Sequence, residues 1–151
     1  MLSFGYTLLF QYMESFIFSQ GLHPAIGFFH ERMARFSCLA ADLMEEFRSP
    51  IVDSLVLNLV NLGVMKPEDF TMQPGETPYC LMSNDARRRF LLEFSKRLTH
   101  SYPHPDFEHS VTLAGCMGLQ VRRYVQALRH PEMPYIPFIS RSMANEKVVT
   151  D

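Results

Sequence analysis

Tryptophan is absent from this chain, and cysteine occurs three times in 151 residues. Cys38, Cys80 and Cys116 are far apart, odd in number and in no CxxC or Cys/His zinc spacing. That excludes a disulfide-stapled scaffold and a zinc module, and predicts reduced thiols. Glycine is sparse too, with seven residues and no Gly-rich phosphate loop. No Ser or Cys has a recognisable base beside it, so nucleophilic catalysis of the triad kind has no candidate. Residues 1–20 are apolar, but no basic segment precedes the run, and Gln11 and Glu14 interrupt it. This predicts neither a signal peptide nor a membrane span, and hence a cytoplasmic protein.

What is present has the balance of a globular domain: 47% hydrophobic and 20% charged residues. Thirteen Phe and ten Met supply large and adaptable side chains for a core that a chain of this length can bury. The net charge of −2 argues against a wholly basic nucleic-acid binder, yet the charge is unevenly placed. Residues 1–84 carry four Lys/Arg against nine Asp/Glu, whereas residues 85–141 carry nine against five. An acidic half beside a basic half suits a metal site next to a phosphate-binding surface.

The hydrophobic spacing predicts an all-α, mainly helical fold. In residues 2–19, Leu2, Leu8, Leu9, Tyr12, Phe16 and Ile17 recur at helical intervals, and Gly21 and Pro24 end that helix. Ser37 is the expected N-cap of a helix over 38–48, which Pro50 breaks or kinks before an apolar run over 51–62. Pro67 opens a short helical turn. Phe70–Met72 and Tyr79–Met82 flank Pro74-Gly75-Glu76-Thr77, predicting a small β-hairpin near 70–82. Ser83 or Asn84 caps a helix over 85–99, with Ala86, Phe90, Leu91, Phe94 and Leu98 inward and Arg87, Arg88, Lys96 and Arg97 outward. After a Pro-bearing loop over 101–106, a last helix spans 110–129. Residues 131–138, with three prolines, are expected to be extended. The organisation predicted is one helical domain over 1–140 and a mobile tail over 141–151.

One constellation carries chemistry. His30 sits on a loop, and Asp42 and Glu45 follow on the next helix. At 100° per residue the two acids lie about 60° apart, opposite the stripe of Leu39, Ala40, Leu43, Met44 and Phe47. Converging on one ion, they would form an imidazole and carboxylate set suited to Mn²⁺ and tolerant of Mg²⁺. Spacing alone leaves the plainer reading open: an amphipathic helix showing acids to solvent, and a surface histidine. Arg87, Arg88, Arg122 and Arg123 are likewise either phosphate contacts or the solvated faces of their helices.

The surrounding residues go further. Gly21-Leu22-His23-Pro24-Ala25-Ile26-Gly27-Phe28-Phe29-His30, followed by Asp42-Leu43-Met44-Glu45-Glu46-Phe47-Arg48, resembles the CRISPR-associated endonuclease/integrase (Cas-one) family. That family reads Gly-Leu-Asp-Pro-x-x-Gly-Phe-Leu-His and then Leu-x-x-Asp-Leu-Met-Glu-x-Phe-Arg. The similarity continues through Val52-Asp53, Asn61, Asp69-Phe70, Arg87 to Phe90, Gln120 and Tyr135-x-Pro137-Phe138. His23 stands where the family has Asp.

The resemblance implies a helical C-terminal domain in which His30 and Glu45 bind Mn²⁺ or Mg²⁺ and Asp42 assists. It implies insertion of spacers into the CRISPR array, with protospacer and repeat DNA as substrates. It also implies a small ferredoxin-like companion protein and a homodimer in the full-length family. Family members carry a β-rich domain and a first metal-binding Glu upstream of the helix with which this chain opens. The chain is therefore expected to be a C-terminal portion, weakly active or inactive alone. The alternative expectation is a non-catalytic helical module that binds DNA or a partner protein through Arg87, Arg88, Arg122 and Arg123.

Overall fold

The computed structural model describes residues 1–28, 37–104 and 108–139. Helix α1, Leu2–Ser19, buries Gly5, Leu9, Met13 and Ile17, one residue per turn along a single face. This differs from the stripe expected from the sequence, because Leu2 and Tyr12 are exposed. An almost uniformly apolar helix offers little periodicity from which to choose its inner face. The helix ends as expected at Gly21. Its φ of +71° lets the Leu22 N–H reach the Ile17 carbonyl at 3.2 Å and the Gly21 N–H reach that of Phe18 at 3.0 Å.

Helix α2, Cys38–Phe47, is the centre of the molecule, with Cys38 through Met44 and Phe47 all buried. Ser37 occupies its N-cap position but makes no side-chain cap bond; its hydroxyl donates to Glu14 on α1 instead. Pro50 does not break the path. Residues Arg48–Asp53 widen into a π-helical segment, and α3, Ser54–Asn61, continues directly from it. A proline lacks an N–H and crowds the carbonyl one turn earlier, and a wider turn relieves both problems.

The Pro50 carbonyl accepts from Arg97 Nε at 2.9 Å and from Ser54 Oγ at 2.9 Å. A second Arg97 nitrogen donates to Ser54 Oγ at 2.8 Å. Arg97 is therefore half-buried and latches the next helix to the π segment, rather than facing outward.

A 3₁₀ turn at Pro67–Asp69 leads into the expected hairpin. Strands β1, Phe70–Gln73, and β2, Tyr79–Met82, pair antiparallel with Phe70 opposite Met82 and Gln73 opposite Tyr79. Helix α4, Asn84–Thr99, is capped by Ser83, whose Oγ accepts the Ala86 N–H. Ala86, Phe90, Phe94 and Leu98 are buried as predicted, but Leu91 is 40% exposed.

A second small ribbon, β3 (Ser101–Pro103) paired with β4 (Ser110–Thr112), stands where the sequence predicts only a loop and the start of the last helix. Helix α5, Leu113–Arg129, accordingly begins three residues later than expected, with Thr112 as its N-cap. Residues 134–139 form neither helix nor strand and run back over α2 and α5 as a strap. The mainly helical class therefore holds, with two small hairpins. The 141–151 tail lies outside the described residues. Among the described residues no helix is long and apolar enough to cross a membrane.

The core joins α1, α2, the π segment, α4 and α5. Gly5 is the close-approach point: a Cβ there would stand 2.6 Å from Val52 Cγ1 and 3.2 Å from Phe90 Cζ. Phe90 is fully buried, whereas Leu92, two residues on, is exposed. Phe90→Ala is expected to lower stability by about 3–5 kcal/mol, through lost burial and an unfilled cavity. Leu92→Ala should change it by about 0.5 kcal/mol or less. Urea unfolding followed by circular dichroism distinguishes the two.

Candidate metal centre

The three acids of α2 meet three different environments. Asp42 is 5% exposed, and its Oδ2 accepts the Phe28 backbone N–H at 2.6 Å. The plainer reading of an acid displayed to solvent therefore does not hold for Asp42, which is buried beside Cys38. Gly27 makes the approach possible, since a Cβ there would lie 2.5 Å from Asp42 Oδ2 and 2.8 Å from the Cys38 backbone.

Phe28 is held further by its ring. It stacks on Tyr124 of α5 with centroids 5.6 Å apart and meets Tyr135 of the strap at 6.4 Å. Tyr124 and Tyr135 pack edge-on at 5.9 Å. Burial, and then the negative charge of Asp42, raise the Tyr124 hydroxyl above its ordinary pKa.

Glu45, in contrast, is exposed. Arg48 Nη1 donates to both of its oxygens, at 2.8 and 2.9 Å, and the guanidinium lies 4.4 Å over the Tyr6 ring. The Tyr6 hydroxyl in turn donates to Asp53, and that bond to a carboxylate raises its pKa. The Glu45–Arg48 pair is open to solvent, where such pairs contribute about 0–1 kcal/mol. An incoming cation could therefore displace Arg48 at little cost.

Glu46 is the acid that sequence reading missed. Its carboxylate accepts from Gln120 Nε2 at 2.9 Å, from the Phe138 N–H at 2.6 Å and from the Tyr135 hydroxyl. Gln120 is completely buried and also donates to the Ile136 carbonyl at 3.1 Å. The available signal was indirect: Gln120, Tyr135 and Phe138 stood among the residues carrying the resemblance, although nothing paired them with Glu46.

His30 lies outside the described residues. Among the described residues no group of three His, Cys, Asp or Glu side chains converges as a metal cage. Asp42 and Glu45 still offer oxygen donors within one turn of α2, one desolvated and one accessible. That chemistry fits a hard divalent cation completed by an imidazole and water.

Of the four arginines considered for DNA, Arg87, Arg88 and Arg122 are exposed, with Arg88 Nη1 3.7 Å from Asp85. Arg123 is half-buried and donates to Gln120 Oε1 at 2.9 Å. Its guanidinium is therefore engaged with the strap network rather than displayed to solvent.

The protein-family model for the CRISPR associated protein Cas1 matches residues 1–96. The chain belongs to the Cas1 family. It is 34% identical over 141 residues to a CRISPR-associated endonuclease Cas1 of Chlorobaculum tepidum, covering 93% of this chain and 40% of that protein. Among solved structures, a casposase bound to integration product matches with a TM-score of 0.75 and 31% identity, over 84% of this chain and 36% of that one. A CAS1 protein from Thermotoga maritima shares the fold, with a TM-score of 0.76 at 24% identity, covering 88% and 40%. This Cas1 chain thus spans well under two thirds of the length of each.

A cavity of about 410 Å³ lies behind the strap of this Cas1 chain, between α5 and residues 133–139, with His104 and Arg123 on its wall. His104 is 3% exposed. Burial first, and then the Arg123 charge, hold its pKa below the ordinary 6.5.

Two outcomes follow from these contacts. Gly27→Ala should cost about 1–3 kcal/mol because Asp42 or the Cys38 backbone must move. Gly75→Ala, where nothing lies within 4 Å, should cost about 0.5 kcal/mol or less in the same urea titration. The unfolded chain protonates His104 before the folded one does. The stability tied to its neutral ring is therefore present above pH 6.5 and lost as pH falls from there toward the lower folded pKa. Melting temperature should decline across that window, and His104→Phe should flatten the decline.

Proposed function

We propose that this chain is the metal-binding, DNA-handling helical part of a CRISPR-associated endonuclease/integrase, with His30 and Glu45 as metal ligands and Asp42 assisting. The observation that carries this reading is the family match across residues 1–96, which spans all three residues. The desolvated Asp42 on the Phe28 N–H supports it over a helix that merely displays acids to water. The reaction class is transfer at a DNA phosphodiester, with a DNA 3′-hydroxyl as nucleophile for spacer insertion and water for cleavage. A bound Mn²⁺ or Mg²⁺ would supply Lewis acidity and lower the pKa of the attacking group.

The chain's own residues do the positioning. Arg48 holds the Glu45 carboxylate, and the Asp42 bond to the Phe28 N–H fixes the chain two residues before His30. Arg87, Arg88 and Arg122 neutralise DNA phosphates. The full assembly is a cytoplasmic homodimer joined to a small ferredoxin-like companion, acting on protospacer and CRISPR-repeat DNA. With His30 and Glu45 as the ion's ligands and Asp42 assisting, ion orientation is loose, and catalysis by this chain alone is weak or absent.

A second reading, a non-catalytic DNA- or partner-binding module, is favoured by Glu45 being already paired with Arg48. Millimolar Mn²⁺ should raise the melting temperature of the chain, and His30→Ala should abolish that rise. DNA cleavage by the chain in Mn²⁺ should be slight. No thermal shift, together with DNA binding that weakens with salt regardless of metal, would establish the second reading. Strong metal-dependent turnover lost in His30→Ala would show that these residues suffice for catalysis.

A further inference from the structure

The residues around Phe28 connect the proposed metal site to the C-terminal strap. Phe28 presents its N–H to Asp42, and its ring rests on Tyr124 and Tyr135. Although Phe28 is 54% exposed, those two rings pack against its side chain and, together with the Gly27 approach to Cys38, hold its backbone toward the carboxylate. Tyr124 belongs to α5 and is rigid with it. Tyr135 belongs to a segment with no secondary structure of its own, so its position depends on side-chain anchors.

Those anchors are on the page. The Tyr135 hydroxyl and the Phe138 N–H both reach Glu46, Gln120 Nε2 bridges Glu46 and the Ile136 carbonyl, and the Phe138 ring stacks on Phe47 at 4.9 Å. Glu46 sits one turn beyond Asp42 on the same side of α2. The same short helix therefore grips the strap with one acid and receives, through Tyr135 and Phe28, a backbone donor onto another.

We propose that the strap is part of the metal-site machinery of this chain: Glu46 and Tyr135 are positioning residues that act through Phe28 to orient Asp42. The inference rests on the metal reading given above. Neither residue touches the reacting atoms. Their effect is to keep one Asp42 oxygen occupied by the Phe28 N–H, which fixes how the carboxylate is turned. Partners of this kind typically change metal affinity by about 10–100-fold when removed.

Two readouts on the full 151-residue chain separate the inference from the reading on which it rests. The first is hydrogen exchange of the Phe28 amide by NMR, which needs no metal. Tyr135→Ala and Glu46→Ala should accelerate it by about ten-fold or more, because local opening there no longer breaks ring contacts. Tyr135→Phe, which keeps the ring but loses the hydroxyl, should exchange more slowly than Tyr135→Ala. The second is Mn²⁺ affinity by titration, which Tyr135→Ala should weaken by about ten-fold and Tyr135→Phe by less. Leu98→Ala, on α4, serves as a control for general destabilisation and should leave Phe28 exchange relative to core amides unchanged.

Unchanged Phe28 exchange in Tyr135→Ala and Glu46→Ala would overturn the inference, as would Mn²⁺ affinity equal to wild type despite faster exchange. Accelerated exchange in the two variants, with no Mn²⁺ binding by the unsubstituted chain, would remove the metal role while preserving the mechanical link. That result would locate the failure in the functional reading.

Discussion

The carboxylate of Glu46 is the interaction on which the rest of this structure depends. One acid gathers a glutamine from α5, a tyrosine hydroxyl and a backbone N–H from a segment without secondary structure. Hydrogen bonds to a charged group contribute about 1.5–3 kcal/mol each. Without Glu46 the strap keeps its ring contacts and the Gln120 bond to the Ile136 carbonyl, but loses the carboxylate that gathers three donors. With Glu46, Phe138 closes over Phe47.

Three acids within five residues therefore serve three ends, and helical geometry separates them. Asp42 and Glu46 share a side one turn apart and face inward, one to the Phe28 backbone and one to the strap. Glu45 falls between them in sequence but projects to solvent, where Arg48 meets it. Desolvation separates these roles more sharply than residue type does. A carboxylate withdrawn from water must be satisfied by fixed donors, and that requirement sets the buried Asp42 and the half-buried Glu46 in position. An exposed one is free to exchange partners, which is the property required of a ligand that receives an ion from water.

The basic half of the chain divides in the same way. Arg87, Arg88 and Arg122 remain on the surface. Arg97, Arg123 and Arg89 are drawn into contacts with Pro50 and Ser54, with Gln120 and with Asp69. The charge asymmetry visible along the chain is therefore not all available to a ligand. Part of it ties helices together, which tempers any phosphate-binding surface drawn from arginine positions alone.

Local rules determined much of this protein from its residues. The glycine stop after α1, the hairpin around Pro74-Gly75, the Ser83 cap and the buried stripe of α4 all depend on neighbours a few positions away. The motif from Gly21 to Arg48 was likewise sufficient to indicate the family. Tertiary structure decided what depends on distant partners. It chose the inner face of a helix apolar on every side, and the widening of the chain at Pro50 into a turn that accepts Arg97. It paired the β3–β4 ribbon, whose three-residue strands are too short to show alternation. Above all it decided which acid of α2 meets water and which meets a strap some ninety residues away along the chain. Spacing places side chains around a helix axis, but only the packed neighbours determine which direction is inward.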